Sequence, residues 1–192
     1  MKPKASTMQQ RMGFADADLT SPKHDDLVLW LVENREEVAR SIGFNSDPQF
    51  RLSSYGYMPE REKEEARLRF DSEKVNQKAK VEILLEKPIM SGLFAIGFID
   101  AIITPCKPYM EAWMEDGKLN CAWSHWQMDG FYVEIKPTTP SFGELLRQLR
   151  HYEPYLPKTM NGEPTKMFVC SPDTRFKAAL EQQGIGFIVA PQ

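Results

Sequence analysis

The sequence predicts an α/β fold, a central mixed β-sheet with helices packed on its faces. Three observations lead there. Short apolar runs alternate with longer segments of helical periodicity, in the order helix, three strands, helix, strand, helix, strand. The 192 residues are 42% hydrophobic and 27% charged, a balance that suits one globular core. No internal repeat divides the chain, so residues 1–192 are expected to form a single domain.

The elements follow in order. Residues 1–22 are polar and aperiodic and read as a loose N-terminal arm. A helix is expected from His24 to about Ile42, with Leu27, Val28, Leu31, Val38 and Ile42 on one stripe. Residues 44–60, rich in Ser, Tyr, Pro and Gly, read as irregular. From Glu60 to Lys80 acids and bases alternate, the pattern of an exposed helix laced with ion pairs or of a mobile excursion. Val81 to Leu85 is a first strand, pairing across a turn near Ser91-Gly92 with the apolar run Phe94 to Ile103. That run reads as a central strand buried on both faces. Residues 104–130 read as an aromatic-rich insertion with Tyr109, Trp113, Trp123 and Trp126 and a hairpin turn at Asp116-Gly117. Its tryptophans either cover a core edge or a dimer contact, or stack on nucleobases. The strand around Glu134 follows, then a helix opened by Ser141 and Glu144, which have the spacing of a capping box. Lys166 to Cys170 is a strand, Thr174 to Gln183 a helix ended by Gly184, and Ile185 to Val189 the last strand.

Candidate chemistry sits on the buried strands. Alternation along Tyr132 to Pro137 puts Glu134 and Lys136 on one side and Val133 and Ile135 on the other. Charges in an apolar strand must satisfy each other, or a metal and a substrate, because an unpaired buried charge is very costly. Asp100 is the lone charge of its own strand. Two acids on adjacent strands can converge on one hard cation such as magnesium. Lys136 beside it would orient or help deprotonate a water and offset phosphate charge. An acid two residues before a lysine also occurs at Asp116 and Lys118, in a turn context, so the spacing counts only with its strand. Gln148 and Tyr152, four apart, share a face of the next helix. They either serve a ligand or pack the helix on the sheet.

Gly97-Phe98-Ile99-Asp100, Glu134-Ile135-Lys136 and the Gln148 to Tyr152 spacing together resemble the PD-(D/E)XK nuclease superfamily, and within it the RecB-like branch. The resemblance covers roughly residues 80–155. It implies an αβββαβ core with the insertion before the Glu-x-Lys strand, and a phosphodiesterase that uses Mg²⁺ or Mn²⁺. Asp100 and Glu134 would be its metal ligands and Lys136 its catalytic lysine, with Gln148 and Tyr152 flanking the site in support of substrate binding. For the acid that such nucleases often carry on the first helix, Glu37 is the nearest match, against a solvated surface glutamate. The expected substrate is DNA. The alternative is an inactive nuclease-fold module that binds nucleic acid or a protein partner in a phage, mobile-element or defence system, as a homodimer or part of a larger complex.

Other chemistries find little support. Cys106, Cys121 and Cys170 lack paired ligand spacing and read as reduced structural residues. His24, His125 and His151 read as surface or packing residues, since no two stand at ligand spacing. Neither a Gly-x-Ser-x-Gly elbow nor a Gly-rich phosphate loop is present. A net charge of −3 argues against broad electrostatic capture of nucleic acid, although a metal and Arg147, Arg150 and Lys158 could act locally. With neither a membrane-length apolar run nor a signal-peptide core, a cytoplasmic location is expected.

Overall fold

Phe94–Glu115 forms a 22-residue strand, β3, because its apolar and β-branched side chains are accommodated on both faces of the sheet. The computed structural model describes residues 22–53, 57–139 and 141–191. Before β3 come α1 (Pro22–Glu33), α2 (Arg35–Ser41), β1 (Gln49–Leu52), α3 (Glu60–Glu73) and β2 (Lys80–Ser91). After it come β4 (Lys118–Gln127), β5 (Phe131–Ile135), α4 (Phe142–Tyr152), β6 (Met167–Ser171), α5 (Lys177–Gln182) and β7 (Gly186–Val189). The expected N-terminal arm, residues 1–22, lies outside the described residues except for Pro22 at the start of α1.

The strands form one mixed sheet with the path β1-β3-β5-β6-β7, to which β2 and β4 add by pairing with β3. Ala101 and Ile103 pair antiparallel with both β2 and β5, so those strands lie on opposite edges of β3. Tyr109 to Ala112 is flanked in the same way by parallel β1 and antiparallel β4. β3 is therefore a spine shared by two halves of the sheet. The hairpin turns fall where expected, at Gly92 (φ 60) and at Asp116-Gly117 (φ 50 and 73), the latter a two-residue turn with positive φ at both positions.

Residues 104–130 are built into the sheet around the expected hairpin turn at Asp116-Gly117. They are the outer half of β3 together with β4. Prolines usually end a strand, but β2 pairing stops at Cys106 and β1 pairing begins at Tyr109. Pro108 falls in that gap, where a missing N–H costs least. The helix expected from His24 to Ile42 is broken in two at Asn34. Asn34 Nδ2 donates to the Trp30 carbonyl and Arg35 Nη1 to the Val32 carbonyl, both at 2.8 Å, which satisfies the end of α1. Within residues 44–60, expected to be irregular, β1 forms because β3 offers it a ladder; four residues alone carry little periodic signal.

Helices cover both faces of the sheet. Val133 and Ile135 of β5 and Phe168 and Cys170 of β6 pack with Leu27, Leu31 and Val38. Met167 and Val169 of β6 pack instead with Leu145, Leu149 and Leu180. A third cluster, around Ala66 and Ala112, joins α3 to the outer half of the sheet. There Trp123 stacks on Phe70 at 5.6 Å and donates to Glu73 Oε2 at 2.7 Å. Among the described residues no helix is long and apolar enough to cross a membrane.

Candidate active site

Register brings the two acids together. Ala101 lies opposite Val133 and Ile102 opposite Tyr132, so one further step along the antiparallel ladder sets Asp100 across from Glu134. Both are buried, at 3% and 1% exposure. Asp100 Oδ2 accepts from the backbone N–H of Ile135 at 2.7 Å, which fixes the carboxylate beside Glu134. Glu134 Oε1 accepts from Gln148 Nε2 at 2.7 Å and lies 3.2 Å from Lys136 Nζ. The Lys136 backbone N–H donates to the Cys170 carbonyl at 2.9 Å, anchoring this end of β5 to β6.

α4 supplies the opposite wall. Ser141 Oγ accepts from the Glu144 N–H, so one half of the expected capping box forms and fixes the start of the helix. Leu145, Leu149 and Tyr152 are buried along it, and Gln148, one turn before Tyr152, is held against Glu134. Gln148 Nε2 also reaches the Tyr152 hydroxyl at 3.3 Å. A Cβ at Gly97 would stand 2.5 Å from the Tyr152 ring, so the absence of a side chain there gives Tyr152 its place against β3. The expected residues Asp100, Glu134, Lys136, Gln148 and Tyr152 thus come together from β3, β5, its C-terminal end and α4.

Glu37 is not among them. It is exposed on α2. The α1 side chain that reaches the acids is His24, 6% exposed, with Nε2 3.5 Å from Asp100 Oδ1. His24 was expected to be a surface or packing residue. Its sequence neighbourhood carries no signal for this role, since only the packing of α1 on the sheet brings it to β3.

The electrostatics reflect dense burial of charge. Burial pushes the Glu134 carboxyl well above the ordinary carboxylate range, and Asp100 pushes it further, against Lys136 and Gln148. Burial acts to lower the His24 pKa, but Asp100 outweighs it and the pKa ends raised. Burial, then the Glu134 charge, raises Tyr152. The Cys170 thiol is pushed up to about 12 by burial and then by Asp100, so it is an inert neighbour.

These residues fit a hard divalent cation. Glu134 Oε2 is buried and has no hydrogen-bond partner among the described residues, and such an oxygen is costly unless something ligates it. Among the described residues no group of three His, Cys, Asp or Glu stands at ligand spacing. A cation held by Asp100 and Glu134 would therefore complete its shell with water or substrate oxygens, as magnesium commonly does.

Fold and site together define a mixed α/β sheet with a buried carboxylate pair and a lysine where its strands meet. No family model matches the chain, and no curated protein matches it. A crystal structure of a repair endonuclease from Pyrococcus abyssi is similar with a TM-score of 0.34 at 20% identity, over 71% of this chain and 49% of that one. The chain spans about half the length of that protein. At so low a TM-score the likeness carries no argument.

Proposed function

We propose that this chain is a Mg²⁺- or Mn²⁺-dependent nuclease of PD-(D/E)XK type, RecB-like branch, that hydrolyses DNA phosphodiester bonds. The observation that supports it is the meeting of Asp100, Glu134, Lys136 and Gln148 at one buried point, with Glu134 Oε2 left without a hydrogen-bond partner among the described residues. When bound, the divalent ion would supply Lewis acidity toward the phosphate and ease deprotonation of water. Asp100 and Glu134 would hold it. Gln148 and the Ile135 N–H keep the two carboxylates in fixed rotamers, which limits reorganisation during the reaction. Lys136 aligns the attacking water and offsets charge gathering on the phosphate oxygens. Tyr152 sets the position of Gln148 and borders the substrate.

A second reading is an inactive nuclease fold that binds nucleic acid or a protein partner. It is favoured by one observation: His24 and the Ile135 N–H engage opposite oxygens of Asp100. Carboxylate oxygens have spare lone pairs, so metal titration decides between the two. The purified chain is incubated with single- and double-stranded DNA in Mg²⁺, Mn²⁺ or chelator. Cleavage is expected with either ion and not with chelator. Asp100→Ala and Glu134→Ala are expected to abolish it, and Lys136→Ala to lower it about 100-fold or more, the scale of losing a charge-stabilising donor. Folded protein that binds neither ion and cuts neither substrate would establish the inactive module instead.

A further inference from the structure

A cavity of about 690 Å³ has a lining that includes Lys23, Asp26 and Trp30 of α1 and Pro137, Pro172 and Pro191, and none of Asp100, Glu134, Lys136, Gln148 or Tyr152. The three prolines follow β5, β6 and β7, which are parallel neighbours. The cavity thus opens at the C-terminal ends of parallel strands, where open α/β sheets bind ligands. It also adjoins the site through the chain itself: Lys23 precedes His24 and Pro137 follows Lys136.

We propose that this cavity is a base-binding subsite, taking one nucleobase of the strand whose phosphate lies at Glu134 and Lys136. The proposal rests on the nuclease reading and adds to it a contact with a base. Volume suits a ligand of nucleoside size, since small-molecule pockets run from about 300 to 1,000 Å³. Chemistry selects the base over a phosphate. Of the four charged lining residues, Arg175 and Asp173 neutralise each other, with Arg175 Nη2 2.7 Å from Asp173 Oδ2. Lys23 and Asp26 remain, one donor and one acceptor, on an exposed rim. A phosphate would meet one cation and one anion there, with no net attraction. A nucleobase would meet an aromatic face on half-buried Trp30, apolar proline walls, and a rim able both to donate to its edge and to accept from it.

The test is binding of a short single-stranded oligodeoxynucleotide to the full chain in chelator, followed by anisotropy, with one abasic residue walked along the oligonucleotide. One abasic position is expected to weaken binding about tenfold or more, the scale of one lost base–aromatic stack. Trp30→Ala should lose affinity for the intact oligonucleotide by the same factor and be insensitive to the abasic position; Trp30→Phe should keep most of the affinity. Asp26→Ala, on an exposed turn of α1, should fold normally and bind more weakly, so the test survives if Trp30→Ala fails to fold. Equal affinity at every abasic position, or wild-type affinity in Trp30→Ala and Asp26→Ala, would overturn the subsite. If the chain binds as described but cuts nothing in Mg²⁺ or Mn²⁺, hydrolysis falls and the subsite stands. If it cuts and Trp30→Ala and Asp26→Ala leave KM unchanged, the subsite falls and hydrolysis stands. A chain that binds no oligonucleotide overturns the subsite as well.

Discussion

A methyl group at position 97 would stand 2.5 Å from the Tyr152 ring, so Gly97 is the residue that lets Tyr152, and through it Gln148, approach the carboxylates. Gly97→Ala is therefore expected to destabilise the chain by about 1–3 kcal/mol, the usual cost of overpacking. In a Tyr152→Ala background the same substitution should cost much less. Urea denaturation of the two single variants and the double variant measures that coupling. At this scale much of the site was legible in the sequence. Alternation alone puts Glu134 and Lys136 on one side of β5, and the distance found between them is 3.2 Å. Glu37 takes the solvated alternative and His24 the packing one, but that Asp100 is His24's partner could not be read from the sequence: helical periodicity ranks side chains by their angle on the helix and says nothing about what lies across from its first turn. α1 turns out to lay His24 against Asp100, while Glu37 is exposed on α2.

Elements hold the site through their ends. Asp173, at the turn after β6, accepts from the Thr139 N–H at 3.3 Å and from the Arg175 N–H at 3.2 Å, tying the segment after β5 to the start of the next helical turn. Its hydrogen bonds, those from the Arg175 side chain foremost, hold the carboxyl below the usual carboxylate range. The linkage sign follows from that lowering. The contribution to stability is fully present above the unfolded-chain value of about 3.9 and is lost as pH falls through the lower folded value. Asp173→Asn should lower the melting temperature at neutral pH and narrow the gap from wild type in strong acid. The effect should be small, because the Arg175 partner is exposed to solvent. Thermal melts of both proteins across the acid range provide the check. α3 is held by its side chains instead: Trp123→Ala removes the stack on Phe70 and the bond to Glu73. A loss of roughly 2 kcal/mol in denaturant melts is expected, below the usual range for a core aromatic because Trp123 is only half-buried. DNA affinity should not change.

For the whole molecule, β3 links a half of the sheet that carries the acids to a half that carries α3, so binding at the acids should be read out as global stability. By mass action a divalent ion at a hundred times its Kd stabilises the folded chain by about 2.7 kcal/mol. Mg²⁺ or Mn²⁺ is therefore expected to raise the melting temperature of the wild type, and chelator to reverse the rise. Asp100→Ala and Glu134→Ala should show no such rise; an equal rise in all three would mean that the ion binds elsewhere.

The sequence by itself determined what near neighbours decide: the mixed α/β class, the alternation along β5, the Ser141 cap, and turns at Gly92 and Asp116-Gly117 that need positive φ. Tertiary structure alone decided the continuity of β3 past its prolines, the existence of β1, the break at Asn34, the contact of His24 with Asp100, and the register that sets Asp100 across from Glu134. Those outcomes depend on pairing and packing between residues far apart in the chain. Their free energy comes from ladders and burial that no local window contains.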